Sequence, residues 1–268
     1  YFGFEYDTAI EASGNCEISD NIIVGPGRDL VTGSGYGIAV DDGYSYIFGN
    51  VIFDYDVAIN AQDGATIQGN LFTNNSEAIV ADRGNVVVRN NTITTGERGV
   101  VAYGAGSVTI DLNLITDQTV CGVYVECQNT IRSNTISNTP IALKLVNSPS
   151  GSIQYNNFEN YTEYSVYFET NSNNFDFSHN WWGTTDTKAI NLTIHDFKYD
   201  FNSEKVDFTP FLTEPNQKAL PNSTPKLPPI FEIPEFSSLV ILPLLFVVTF
   251  AVVFIKKNIT GVKNTYDE

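Results

Sequence analysis

The chain has 268 residues, and 31 Asp and Glu against 14 Lys and Arg give it a formal net charge of −17. This charge argues against nucleic acid as a partner, because a phosphate backbone is bound by a basic face. Three cysteines, Cys16, Cys121 and Cys127, do not make a disulfide framework, so we expect free thiols.

A short phrase recurs eight times between residues 18 and 182. It consists of an aliphatic residue or Phe, two residues, Asn, one residue, and then Ile, Phe or Trp. Successive Asn residues are 29, 20, 21, 22, 21, 22 and 24 residues apart, and this near-constant period indicates a repeat array. The Asn residues are Asn21, Asn50, Asn70, Asn91, Asn113, Asn134, Asn156 and Asn180.

Each period predicts about three short strands and no helix, with the Asn at a corner between two strands. Asn suits a corner because it tolerates left-handed backbone geometry. A coil of about 21 residues is too short for a βαβ unit. The chain therefore predicts an all-β fold, a parallel β-helix of about eight coils stacked about 4.8 Å apart, with the Asn side chains aligned as a ladder.

Two columns of apolar side chains are expected to fill the interior. One column comes three residues before each Asn: Ile18, Ile47, Ile67, Val88, Ile110, Ile131, Ile153 and Phe177. The other comes two residues after it: Ile23, Ile52, Phe72, Ile93, Ile115, Ile136, Phe158 and Trp182.

The predicted β-helix spans residues 1–183, and a C-terminal cap follows over residues 184–213. We expect a truncated N terminus, because the chain has no Met and reaches the repeat at once, at Ala9-Ile10. Ile190, Ile194 and Phe197 recur at helical spacing, which predicts a short helix that covers the last coil.

The remaining residues predict a stalk and a membrane segment. Residues 214–235 contain six prolines, which favour an extended linker. Residues 236–255 run for 20 residues without a charge, enough to cross a bilayer as one helix. Lysines follow, so residues 256–268 are expected in the cytoplasm and the β-helix outside the cell. Glycosylation motifs on the outer side occur at Asn74, Asn90, Asn160, Asn191 and Asn222.

The repeats also carry a family resemblance. Asn91-Thr92-Ile93 and Asn134-Thr135-Ile136 resemble the repeats of pectate-lyase-like proteins and of the periplasmic copper-binding β-helix family. Asn180-Trp181-Trp182-Gly183 and residues 205–212 resemble the ends of archaeal surface β-helix proteins, and residues 233–236 resemble a PEF-type C-terminal sorting signal. The resemblance implies a single-stranded right-handed β-helix at an archaeal cell surface. It implies no single function, because this fold hosts lyases, hydrolases, epimerases and adhesins.

Carboxylates and one guanidinium are the weak candidates for catalysis. Asp42 and Asp63 occupy the same place in successive coils, and Arg83 follows one coil later. Asp54 and Asp56 share a face if their strand extends that far, and glycoside hydrolysis needs two carboxyl groups that face one bond. The alternative for Asp42 and Asp63 is a turn, since each precedes Gly, with Arg83 paired to Asp63 at the surface.

No metal site is predicted, although Ca²⁺ is compatible with these carboxylates. Copper is not expected, because the chain has no Met and only His179 and His195 as histidines.

Aromatic residues around Asn50 are the candidates for glycan binding: Tyr46, Phe48, Phe53 and Tyr55. The long first step, from Val24 to Tyr36, could form the lip of a groove over them, or could pack on them and hide an apolar patch. We therefore expect a cell-surface, single-pass membrane protein with a structural or adhesive role and glycans as ligands. The alternative is a surface polysaccharide lyase or glycoside hydrolase, and the sequence leaves enzymatic activity undecided.

Overall fold

Two parallel sheets wind around one apolar interior in the computed structural model, which describes residues 8–27, 35–104, 106–148, 150–171, 174–222 and 225. Sheet A has 13 strands: β1 (Ile10–Ser13), β3 (Ile22–Val24), β4 (Tyr36–Asp41), β6 (Val51–Phe53), β7 (Val57–Ala61), β9 (Leu71–Ala81), β11 (Thr92–Ala102), β13 (Leu114–Val125), β15 (Thr135–Ser137), β16 (Ile141–Val146), β18 (Asn157–Glu159), β19 (Tyr164–Glu169) and β21 (Ile194–His195). Sheet B has eight strands: β2 (Glu17–Ser19), β5 (Ser45–Phe48), β8 (Ala65–Gln68), β10 (Asn85–Arg89), β12 (Ser107–Asp111), β14 (Gln128–Arg132), β17 (Gly151–Gln154) and β20 (Phe175–Asp176).

Each strand pairs in parallel with the strand one coil away, so the all-β parallel β-solenoid that the repeat predicts is confirmed. It has about six turns, fewer than the eight predicted. The reason is that eight corners bound only seven steps. The first step, from Asn21 to Asn50, is 29 residues long and includes residues that the structure does not describe, whereas the steps from Asn50 to Asn180 are 20 to 24 residues long.

The Asn ladder is present through its whole length. In each step from Asn50 onward to Asn156, the backbone N–H and the side-chain amide both donate to the Oδ1 of the next Asn, at 2.9 to 3.1 Å. Asn21 makes the same two bonds to Asn50. The ladder therefore satisfies buried amides where the strands turn and cannot pair.

The predicted reason for Asn at the corner is wrong in one respect. The left-handed residue is the one before each ladder Asn, and the ladder Asn residues themselves do not have positive φ. The left-handed residues are Asp20, Gly49, Gly69, Asn90, Leu112, Ser133, Tyr155 and His179. The corner thus divides two tasks between neighbours: one residue takes the strained backbone, and the Asn supplies the hydrogen bonds.

Both predicted columns of apolar side chains are buried in the core. A third inward column comes from the long strands of sheet A: Ile38, Ile59, Ile79, Val100, Val123, Leu143, Val166 and Ile194. Because the side chains of a strand alternate, the residues that follow this column point outward and form the outer face of sheet A. The small residues Ala58, Ala78 and Ala142, which precede it, are buried in the core.

The C-terminal cap differs from the predicted helix. Helix α1 covers only Thr187–Leu192, with Asp186 as its N-cap, and it buries Ile190. Ile194 instead lies on β21, which pairs with β19 and extends sheet A by one strand. Phe197 is 46% exposed, so the helical spacing of these three residues was misleading beyond Ile190.

Residues 207–222, which we call the strap, return along the outside of the solenoid. Leu212 donates its N–H to the carbonyl of Asn180 at 2.9 Å. Farther along, Asn216 exchanges two hydrogen bonds with the side chain of Asn157, and Thr135 donates its hydroxyl to the carbonyl of Ala219. Residues 214–222 of the predicted stalk therefore lie against the β-helix.

The predicted membrane segment, residues 236–255, and the tail lie outside the described residues. In the part of the chain that is described, no helix is both long and apolar enough to cross a membrane.

Candidate functional site

Of the two carboxylates predicted for catalysis at the turn between the sheets, that of Asp63 has a structural partner. The Oδ2 of Asp63 accepts the backbone N–H of Asp42 at 2.9 Å, and Asp42 has a left-handed φ of 50°. Arg83 pairs with Asp82 at 3.6 Å rather than with Asp63, and its side chain is 65% exposed. Asp42, Asp63 and Arg83 thus lie at a solvated turn, but the pairing of Arg83 with Asp63 that the turn alternative includes is wrong.

The corner at Asp54 also differs from the extended strand that the catalytic hypothesis required. Strand β6 ends at Phe53 and β7 begins at Val57, so Asp54 and Asp56 flank a corner instead of sharing a strand face. The Oδ1 of Asp54 accepts a hydrogen bond from the amide of Asn74 at 2.5 Å. The residue between the two acids, Tyr55, points inward.

Only one of the four predicted glycan-binding aromatics presents a largely open ring. Tyr55 is 4% exposed and belongs to the core, which corrects its place among the surface candidates. Phe48 and Phe53 are half-buried, on β5 and β6 respectively. Tyr46 is 53% exposed and stands directly beside Glu17 of the neighbouring strand.

Tyr46 lines a shallow cleft on the outer side of sheet B. The cleft has a volume of about 470 Å³ and is lined by Asn15, Cys16, Glu17, Tyr44 and Tyr46. Tyr44 packs edge-on against Tyr46, and its hydroxyl makes a 2.8 Å hydrogen bond with the Thr66 hydroxyl. The cleft is therefore ordered, but it is wide and open.

A more enclosed cleft lies on the outer face of sheet A, in the same two coils. Its volume is about 240 Å³, and we call it the sheet A cleft. It is lined by Thr8, Glu11, Tyr36, Ala39, Val40, Asp41 and Gln62. Ala39 faces outward, between the inward Ile38 and Val40. Its side chain is only a methyl group, which leaves room for the cleft.

Asn60 stands beside this cleft with an unsatisfied polar atom. It pairs in register with Ala39, and it faces outward because Ile59 and Ala61 on either side are buried in the core. Asn60 is only 6% exposed, and its Oδ1 accepts no hydrogen bond from the described residues. A buried carbonyl without a donor costs free energy, so this atom calls for a partner.

One and two coils farther along, the same face carries a partly buried ion pair. Arg98 donates to the Oε1 of Glu77 at 2.6 Å. Burial lowers the pKa of Arg98. The hydrogen bond to Glu77 and the negative charge of Glu77 raise this pKa by more, so the net shift is upward. Burial, with the charges of Glu77 and Asp82, raises the pKa of the nearby Tyr103. The carboxylate of Glu77 is therefore held by the guanidinium of Arg98.

Toward the C-terminal coils, this face becomes a stack of rings. The ammonium of Lys144 lies 4.7 Å from the ring centre of Tyr167 and 5.8 Å from that of Tyr124. His195 stacks on Tyr167 at 4.1 Å, and Tyr199 stacks on His195 at 5.1 Å. The stacked rings join neighbouring coils, and Tyr199, at the end of the stack, is 51% exposed.

Sequence reasoning missed the sheet A cleft and Asn60. The repeat located the inward residues, and counting outward from Ile38 and Ile59 would have placed Ala39 and Asn60 side by side. No pattern marked Asn60 as unpaired, because hydrogen-bond satisfaction depends on the neighbouring coils.

Among the described residues, no group of three or more His, Cys, Asp or Glu side chains could hold a metal ion. The three cysteines are free thiols, as predicted. Of the glycosylation candidates, Asn74, Asn160 and Asn222 are exposed, and Asn90 and Asn191 are half-buried.

Residues 8–182 match the family model for the right handed beta helix region. The chain therefore belongs to the right-handed β-helix family, in agreement with the parallel strand order and the Asn ladder. No curated protein and no solved structure matches the chain.

Proposed function

We propose that this chain is a cell-surface β-helix protein with an adhesive or structural role, which binds glycans through the sheet A cleft. The observation that carries the proposal is the unsatisfied Oδ1 of Asn60 beside a cleft that combines an aromatic ring with polar groups. A sugar has apolar C–H faces and many hydroxyl groups. Tyr36 offers a ring, while Glu11 and Gln62 offer hydrogen-bonding groups, which is the mixture that a ligand site needs.

Asn60 supplies the proposed site with an acceptor for a hydrogen-bond donor on the ligand. In the free protein its Oδ1 is buried and unpaired, and rotation of the amide toward Ala39 would turn it to the cleft. A sugar hydroxyl in the cleft would then donate to it. Binding would give the unpaired Oδ1 of Asn60 a hydrogen bond, and this bond would contribute to the affinity for the ligand.

We also propose that residues 236–255 attach the protein to the surface, as a membrane helix or as an archaeal PEF-type sorting segment. The support is the uncharged run of 20 residues, the lysines after it and the resemblance of residues 233–236 to such signals. Protease treatment of intact cells tests this. Release of the β-helix into the medium would support the proposal, and complete protection would contradict it.

A glycan array probed with the full chain tests the binding site. Tyr36→Ala and Asn60→Ala should each reduce binding of the glycans that the natural sequence retains. Tyr199→Ala is the control, because Tyr199 is an exposed tyrosine at the other end of the solenoid, whereas Tyr36 is half-buried in the cleft. Equal binding by all four proteins would place the site elsewhere, and an absence of any glycan binding would overturn the proposed function.

An enzyme of the same fold is the second candidate. Glu77 and Arg98 place a carboxylate and a guanidinium on adjacent coils of one sheet face, which is where a lyase or hydrolase would gather its groups. Their mutual hydrogen bond leaves the carboxylate engaged, so binding is the stronger proposal. A reducing-end assay on the bound glycans separates the two. New reducing ends that disappear in Glu77→Gln would favour the enzyme.

A further inference from the structure

Charge is distributed very unevenly along the solenoid. Residues 8–82 contain 11 Asp and Glu but a single basic residue, Arg28, whereas residues 83–222 contain 14 acidic and nine basic residues. In the described parts of residues 8–82 there is no Lys, Arg or His at all. Apart from Arg28, the coils that form the sheet A cleft therefore lack the cations that partly neutralise the rest of the solenoid.

Two of these acidic residues line the cleft, and two more lie at the turn next to Asp41. Glu11 and Asp41 line it, and Asp42 and Asp63 lie at the turn beside it. Asp41 accepts a hydrogen bond from the Ser13 hydroxyl at 2.5 Å, and Asp63 accepts the N–H of Asp42 at 2.9 Å. These partners are neutral, so they leave the negative charge of each carboxylate uncompensated.

From this we infer that the glycan bound in the sheet A cleft carries free amino groups. The inference rests on the proposed function and names the class of ligand for the same site. An ammonium can donate to the carboxylates of Glu11 and Asp41 and to the orphaned Oδ1 of Asn60, since it has three donors and no acceptor. A uronate glycan would bring a second set of carboxylates into this negative field and would be repelled.

A ligand with hydroxyl groups alone would donate to the Oδ1 of Asn60, but it would not be attracted by the negative electrostatic potential of the cleft. A partly solvated charge pair about 4 Å apart is strong enough to change affinity by about tenfold or more. The attraction should weaken in high salt, because exposed charges are screened beyond about 8 Å at physiological ionic strength. It should also weaken as the pH rises and the amino groups lose their protons.

The test is a calorimetric titration of the full chain in detergent with three oligosaccharides of equal length. These are a β-1,4-linked glucosamine oligomer, its fully N-acetylated counterpart and a galacturonic acid oligomer. We expect the amine form to bind about tenfold more tightly than the N-acetylated form at pH 6, with the uronate weakest. Glu11→Gln should reduce this preference. Glu97→Gln, an exposed carboxylate outside the cleft, should leave it unchanged.

The outcomes separate the inference from the proposed function. If the N-acetylated or uronate oligomer binds as well as the amine form, the inference is overturned while glycan binding stands. An amine preference that survives Glu11→Gln intact would also overturn it, because the preference would then arise away from the cleft. If none of these oligomers and no glycan on the array binds, both proposals fail.

Discussion

Asn113 donates its backbone N–H and its side-chain amide to the Oδ1 of Asn134, at 2.9 Å in each case. The same amide also donates to the carbonyl of Val88 at 2.9 Å, while the Oδ1 of Asn113 accepts two bonds from Asn91. One buried side chain thus serves three coils.

Replacement of Asn113 by Leu should destabilise the protein by at least about 1–3 kcal/mol, because the change removes the side-chain partners of the buried donors on Asn91 and of the buried carbonyl of Val88. Thermal or chemical unfolding measures the loss. Gln68→Leu is the control, since Gln68 is an exposed side chain and its replacement should change stability by less than about 0.5 kcal/mol. Equal stability of the two variants would mean that the ladder contributes nothing.

The left-handed residue before each ladder Asn gives a second prediction. Gly69 has a φ of 64°, and no heavy atom lies within 4 Å of the place where a Cβ would stand. Gly69→Val should therefore cost about 1–2 kcal/mol from backbone strain alone, whereas Gly69→Asn should cost much less. The natural chain supports the comparison, because Asn90 occupies the same position one coil later with a φ of 53°. Equal unfolding free energies for the two variants would contradict this assignment.

The strap gives a third prediction. Asn157 is buried, and its side chain exchanges two hydrogen bonds with the backbone of Asn216. Asn157→Ala should loosen the strap, because it removes both bonds, and trypsin should then cut faster after Lys218. Gln128→Ala, at an exposed position on sheet B, serves as the control. Unchanged cleavage at Lys218 would show that the strap is held by other contacts.

The cysteines give a prediction that depends on pH. Burial is the main cause that raises the pKa of Cys121 and of Cys127, each to about 11, whereas an unfolded thiol has a pKa of about 8.5. Both thiols stay protonated at pH 8, so iodoacetamide should modify the half-buried Cys16 first, as mass spectrometry would show. Rapid modification of Cys121 or Cys127 without unfolding would contradict this.

The same shifts link stability to alkaline pH. Between about pH 8.5 and the folded pKa, the unfolded thiols lose protons that the folded thiols keep. This ionisation stabilises the unfolded state relative to the folded state. The stabilising contribution is present below that range and is lost as the pH rises through it. Unfolding free energies measured from pH 7.5 upward should fall.

The repeat was sufficient to predict the architecture because every copy of the phrase has the same task. Ile47, Asn50 and Ile52 recur at fixed spacing, and stacking turns that spacing into two inward columns and a ladder. The cap could not be predicted in the same way. Ile194 follows Ile190 by four residues, which suits a helix. Ile194 instead lies on β21, which pairs with the edge of β19 and so satisfies backbone hydrogen-bonding groups there.

The candidate site was harder to predict than the fold. Tyr46 was correctly expected on the surface, since it precedes the inward Ile47, but Tyr55 follows a corner where simple alternation fails, and it is buried. Asn60 occurs in a column where its neighbours in register are Ala39 and Val80, so no repeated signal marked it. Its importance depends on an empty hydrogen-bonding position, which only the assembled coils reveal.

A crystal structure of the protein soaked with a bound oligosaccharide is the most direct test of glycan binding at the sheet A cleft. The account predicts a sugar ring against Tyr36, with a donor of the ligand within hydrogen-bonding distance of the Asn60 Oδ1 and of Glu11. A sugar seated only at Tyr46 on sheet B, with the sheet A cleft empty and Asn60 still unpaired, would contradict it.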